Sequence, residues 1–187
     1  NKELKLSVKE FKVNGQSVRE ILSVGFPSVI MQAINSLLTV FMNMILIGYG
    51  SVAVSVLGVY FKLQSFVFMP VFGLGNGMVA IIGYNYGARL RNRIYDGVKV
   101  SLTYAAVIMA IGTILFWAFP EFLMGLFETS GEAASELTTI GVPALRTISL
   151  SFIMAAVGIT LSNVFQAIGK GTYSLLMSLM RQLIVLL

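Results

Sequence analysis

The sequence predicts an all-α membrane protein, a polytopic bundle of transmembrane helices, and three observations carry that prediction. Uncharged stretches recur: Ile21 to Phe61, Leu63 to Ala88, Val100 to Pro120 and Thr147 to Gly169 hold no Asp, Glu, Lys or Arg. At about 1.5 Å of rise per residue, each can cross a hydrocarbon core of roughly 30 Å as a helix. The composition is 57% hydrophobic and 11% charged, with a mean hydropathy of +0.87. A soluble domain carries about 25% charged residues, so this inventory cannot coat a water-facing surface. Basic residues also alternate between connections. Lys2, Lys5, Lys9, Lys12 and Arg19 precede the first stretch, Arg89, Arg91, Arg93 and Lys99 follow the second, and Lys170 follows the fourth. The connections after the first and third helical spans, near residues 48–51 and 120–132, carry none, and Glu121, Glu128, Glu132 and Glu136 cluster around the latter. This positive-inside pattern predicts that the N-terminal arm and the 86–99 loop are cytoplasmic.

Taken in order, residues 1–17 read as a cytoplasmic arm with a turn near Asn14-Gly15, and residues 18–187 as the transmembrane helices. A first span covers about 18–48 and closes at Gly48-Tyr49-Gly50-Ser51. A second covers about 52–86. The third, about 94–119, ends at Pro120, because proline lacks the N–H a helix needs. Residues 125–131 form an outside loop. A fourth span covers about 133–168, and Gly169-Lys170-Gly171 turns the chain into a fifth, about 172–187, that is cut short. The chain therefore reads as a piece of a longer polypeptide. Spans above 30 residues exceed the bilayer, so tilt, kinks or protrusion are expected.

Absent residue types narrow the function. The chain has no Cys and no His, which excludes thiol redox chemistry, zinc ligation of the usual kind and histidine proton relays. No metal site, no cofactor and no enzymatic activity are expected. The net charge of +5 is topological, so no nucleic-acid partner is expected: no solvated basic face with interleaved aromatics is present.

The first span has a polar face. Ser28, Gln32, Asn35, Ser36, Thr39 and Asn43 recur at i, i+4, i+7, i+8, i+11 and i+15, one side of a helix. Amides are costly against lipid, so this face meets other helices or water. Two readings stand: a seam of interhelical hydrogen bonds, or the wall of a substrate-accessible cavity. Pro27 is expected to bend or soften this helix. In the second span, Pro70 stands beside the small-xxx-small pair Gly73 and Gly77, which reads either as close helix packing or as a hinge. Thr160 and Asn163 share a face of the fourth span, with Gln166 a turn further. Ionisable residues at depth are few, Lys62, Arg146 and Arg181. For Lys62 and Arg146 two readings stand, a functional charge or snorkelling and structural pairing near the helix ends. No Asp or Glu lies deep in any span.

Three motifs in order resemble the multidrug and toxic compound extrusion (MATE) transporters. They are Gly25-Phe-Pro27-Ser28 followed by Gln32, the run Pro70-Val-Phe-Gly-Leu-Gly75-Asn-Gly77 leading to Gly83-Tyr-Asn85-Tyr-Gly87-Ala88, and Asn163-Val-Phe-Gln166-Ala-Ile-Gly169-Lys170-Gly171. The resemblance implies two six-helix lobes related by a pseudo-twofold axis. This chain is similar to the second lobe, with the interlobe arm, helices seven to ten and part of eleven. It implies a multi-pass protein of a bacterial or archaeal plasma membrane that exports amphipathic, often cationic compounds by alternating access, coupled to H⁺ or Na⁺. The implied partners are small-molecule substrates, the N-terminal lobe and the lipid bilayer. Asn35 stands where a sodium-coupled branch of the family has Glu, and the Asp expected in helix ten falls near Ala156. The coupling ion is therefore expected mainly in the N-terminal lobe. The alternatives are a lipid-linked oligosaccharide flippase of the same superfamily and a non-transporting membrane scaffold. The candidate cavity residues are Gln32, Asn35, Ser36, Thr39, Asn43 and Asn163.

Overall fold

The computed structural model describes residues 14–127 and 132–186, with side chains described through residue 127 and from 136 to 180. Most of the arm at 1–17, the loop at 128–131 and the side chain of Arg181 lie outside the described residues. Seven helices follow in order: α1 (Gly15–Ile47), α2 (Ser51–Gly87), α3 (Arg91–Ala118), α4 (Pro120–Gly125), α5 (Glu132–Ser149), α6 (Phe152–Ala167) and α7 (Gly171–Leu186). Among the described residues every element is helical. In a bilayer that is one of only two architectures that satisfy all backbone polar groups. By length and hydropathy, α1, α2 and α3 can each cross a membrane, and α5 with α6 add a fourth if the bent pair is counted as one span.

The centre of the bundle is α2, α3 and α6, with α4 and α5 packed at one end, α7 on α6, and α1 on α7 and the flank of α2. Phe152 of α6 is fully buried. It meets Phe68 of α2 and Phe116 of α3 edge-on, each ring centre 5.2 Å away. Such tilted pairs are favoured by the ring quadrupoles. Without a hydrophobic driving force inside lipid, helices associate through close van der Waals contact, and small residues permit it. Gly112 of α3 lies under Val67 of α2, and Gly75 of α2 lies under the Asn163 side chain of α6. Gly73 and Gly77, expected to make a close approach, are exposed, and a Cβ at either would meet nothing within 4 Å. In this fold the contact belongs to Gly75, two positions along and on another face.

The fourth expected span is not one helix. It bends by 49° between α5 and α6, and hydroxyls explain the break. Ser149 Oγ donates to the Arg146 carbonyl at 3.0 Å and Ser151 Oγ to the Ile148 carbonyl at 2.8 Å. From α3, Thr113 Oγ1 reaches the Ser149 carbonyl at 3.1 Å. Side chains that take main-chain carbonyls compete with the helical ladder. Residues 120–125, read as the end of a span and the start of a loop, form the short helix α4, with Pro120 at its start.

The turns α2–α3 and α6–α7 share a geometry. In the first, Leu90 N–H bonds the Asn85 carbonyl and Arg89 N–H the Tyr86 carbonyl. In the second, Lys170 N–H bonds the Phe165 carbonyl and Gly169 N–H the Gln166 carbonyl. Both are Schellman caps, whose next-to-last residue is left-handed and usually glycine. Gly169 fits, at φ 75°; the first turn has Arg89 there, at φ 57°. For a residue with a Cβ that conformation costs about 1 kcal/mol or more.

Candidate functional site

The polar face of α1 divides into two environments. At the Pro27 end it is a packing seam. Ser28 Oγ donates to the Val24 carbonyl at 3.2 Å and accepts from Gln166 Nε2 of α6 at 3.1 Å. Pro27, the one buried residue of α1, packs on Gly171, where a Cβ would come within 3.2 Å of the proline ring and of Val24. The helix continues through Pro27 as one element.

Further along, the same face opens onto a cavity of about 480 Å³ between α1 and α2. From α1 it is lined by Asn35, Leu38, Thr39 and Met42, and from α2 by Phe61, Gln64, Ser65, Phe68, Met69 and Phe72. The α2 set falls at i, i+3, i+4, i+7, i+8 and i+11, one helical stripe. Sequence reasoning missed this stripe, although the periodicity that exposed the α1 face would have found it. Thr39 Oγ1 is tied to the Asn35 carbonyl at 3.0 Å and Ser65 Oγ to the Phe61 carbonyl at 2.7 Å. Both hydroxyls still offer lone pairs to a guest. The lining contains no ionisable side chain. The cavity therefore offers aromatic faces, two methionine sulfurs and neutral polar groups. That set suits a flat apolar body, and ring faces attract a cation without a carboxylate.

Of the predicted cavity residues, Asn35 and Thr39 line this space. Gln32 and Ser36 are exposed, and Asn43 is half-buried beyond the lining. Asn163 is elsewhere, between α6 and Gly75. On α6 Ser162 instead forms a buried hydroxyl cluster with α7: its Oγ is 2.6 Å from Ser174 Oγ and 3.1 Å from Ser178 Oγ. Pro70 is exposed on α2, between the lining residues Met69 and Phe72. Of the deep cations with described side chains, Arg146 stands in the last turn of α5 and Lys62 about three turns into α2. Lys62 Nζ lies 5.4 Å from the centre of the Phe127 ring, just past α4. The Arg146 carbonyl accepts from Trp117 Nε1, one residue before the end of α3, at 3.2 Å.

Known proteins are similar to this chain in sequence and fold. Multidrug export protein MepA of Staphylococcus aureus (strain N315) is 26% identical over 181 residues, covering 97% of this chain and 39% of that protein. MepA of Staphylococcus haemolyticus (strain JCSC1435) is 25% identical over 186 residues, covering 100% of this chain and 40% of that protein. Among solved structures, a MATE in complex with MaL6 superposes with a TM-score of 0.88 at 24% identity, covering 97% of this chain and 40% of that one. An outward-facing multidrug resistance MATE transporter gives a TM-score of 0.86 at 23% identity, over 96% of this chain and 40% of its own. The chain thus spans about two-fifths of the length of the relatives it matches. A family model described as MatE matches residues 27–187, and with the fold of a MATE half-lobe in hand, the chain belongs to the MatE family.

Proposed function

We propose that this chain forms one lobe of an exporter that moves amphipathic, often cationic compounds out of the cell by alternating access, in antiport with H⁺ or Na⁺. The observation that carries the reading is the α1–α2 cavity, with its aromatic and methionine stripe facing Asn35 and Thr39. The names of the staphylococcal relatives, multidrug export proteins, support the same direction of transport. The other lobe, the substrates and the bilayer are the partners, in a multi-pass protein of the plasma membrane with Arg89 and Lys170 on the cytoplasmic side. The energetics allow it: one charge crossing 100 mV is worth about 2.3 kcal/mol, close to a 50-fold gradient.

Coupling belongs to the other lobe in this reading, because a neutral amide at Asn35 does not titrate near physiological pH and brings no charge to a cation. In the full-length protein, Phe72→Ala is expected to weaken binding of an amphipathic cationic dye severalfold. Asn35→Ala is expected to lower export or change its substrate range while keeping the response to ion gradients. Unchanged dye affinity in Phe72→Ala would remove the cavity from the transport path. Export by Asn35→Ala that no longer responds to Na⁺ or pH gradients would move coupling into this lobe.

A further inference from the structure

Outside the transport cavity, a basic cavity of about 500 Å³ lies at the α2–α3 turn, lined by Tyr86, Gly87, Arg89, Arg91 and Ile94. We propose that it is a binding site for the phosphate headgroup of an anionic glycerophospholipid. Its charge is uncompensated: the first turn of α3 has no acid, and among the described residues no carboxylate pairs with Arg89 or Arg91. Arg91 is held in place, with Nη2 donating to Tyr95 Oη at 3.1 Å and the guanidinium 5.5 Å from that ring centre. The rest of its planar fork is left for an oxyanion, the geometry that makes arginine a phosphate ligand.

Orientation of the chain in the membrane explains basic residues on this side in general, but not Arg89. Arg93 and Lys99 supply that charge without strain, whereas Arg89 holds φ 57° where the matching turn has Gly169. A guanidinium is thus kept at a position that favours glycine, and strain of that kind marks function. The flanking aromatic residues point to lipid as the ligand. Tyr84, Tyr86 and Tyr95, on the two helices of the turn, are all exposed, and exposed tyrosines gather at headgroup level. The end of α6 stands alongside: a Cβ on Gly83 would lie 3.3 Å from the Ala167 carbonyl. Lys170 and the exposed Tyr173 follow it, 5.5 Å apart. Basic pockets between helix ends on the cytoplasmic side are where anionic headgroups bind.

The test uses the full-length protein in detergent, titrated with short-chain phosphatidylglycerol, short-chain phosphatidylcholine and inorganic phosphate. Phosphatidylglycerol is expected to bind about tenfold more tightly than phosphatidylcholine, and more weakly as salt rises. Arg89→Gly relieves the turn, so it is expected to keep or raise the melting temperature while weakening phosphatidylglycerol about tenfold. Arg91→Ala is expected to weaken it similarly, Arg89→Lys less, and Lys99→Gln, which lies outside the cavity, not at all. Unchanged affinity in both Arg89→Gly and Arg91→Ala would overturn the site. So would equal binding of the two lipids, or an equal loss in Lys99→Gln. Inorganic phosphate binding as tightly as phosphatidylglycerol would overturn the assignment to lipid.

Discussion

Gly75 carries the contact between α2 and α6, because any side chain there would run into Asn163. Its neighbours Gly73 and Gly77 have open space. Gly75→Val is therefore expected to destabilise the protein by about 1–3 kcal/mol through overpacking. Gly73→Val, with the same change in chemistry, is expected to cost well under that. Thermal unfolding of the two variants in detergent checks the difference, and equal losses would show that helix propensity, not the Asn163 contact, decides. The sequence shows three glycines within five positions and places 73 and 77 on one face with 75 on another. Which face receives a neighbour depends on where α6 runs, and helical periodicity contains nothing about that. Asn163 illustrates the same limit: its polarity was legible, its partner was not.

At the scale of the helix, α1 is fastened at one end and open at the other. Pro27, Ser28, Gly171 and Gln166 make the fastened end, and Asn35 and Thr39 border the cavity at the open one. Proline also removes one rung of the α1 ladder, so the Gln166–Ser28 bond bears more of the local order. Gln166→Leu is expected to speed hydrogen exchange of amides 24–31 severalfold and leave amides 105–116 of α3 unchanged. An undisturbed 24–31 segment would mean that the bond contributes nothing to docking α1. The polar face of α1 could be read from spacing alone. Its division into seam and cavity wall could not, since the residue types are alike along the face. The α5–α6 break is a related case: Ser149 and Ser151 hint at it, but the Thr113 bond to the Ser149 carbonyl comes from another helix.

Across the whole molecule, charge sorts the ends of the bundle. Arg19, the Arg89–Arg91 turn and Lys170 gather where α1 and α3 begin and α6 ends, while Lys62 and Arg146 lie toward the opposite end, beside α4 and the end of α3. These 187 residues contain no Cys, so single Cys substitutions among them can report the orientation that the positive-inside pattern predicts. On intact cells, an impermeant maleimide is expected to label Ser51→Cys and to spare Arg91→Cys until the membrane is opened. Labelling of 91 and not 51 would invert the topology. In the proposed exporter, the exposed apolar residues of α1, such as Phe26, Val29, Leu37 and Met44, are the surfaces expected to meet lipid and the other lobe.

The sequence by itself determined the class of this protein, because solvation is a local property. A run of uncharged residues long enough to span hydrocarbon has one cheap backbone solution, the helix, whatever its neighbours are. The same holds for the turn at Gly169-Lys170-Gly171 and for the periodic polar face of α1. Only the tertiary structure decided which glycine is covered, that the fourth span breaks at Ser149–Ser151, and that Phe61, Gln64, Ser65 and Phe72 join Asn35 and Thr39 around one space. Those outcomes depend on the relative placement of helices far apart in the chain, set by close packing across their faces, and no single segment contains it.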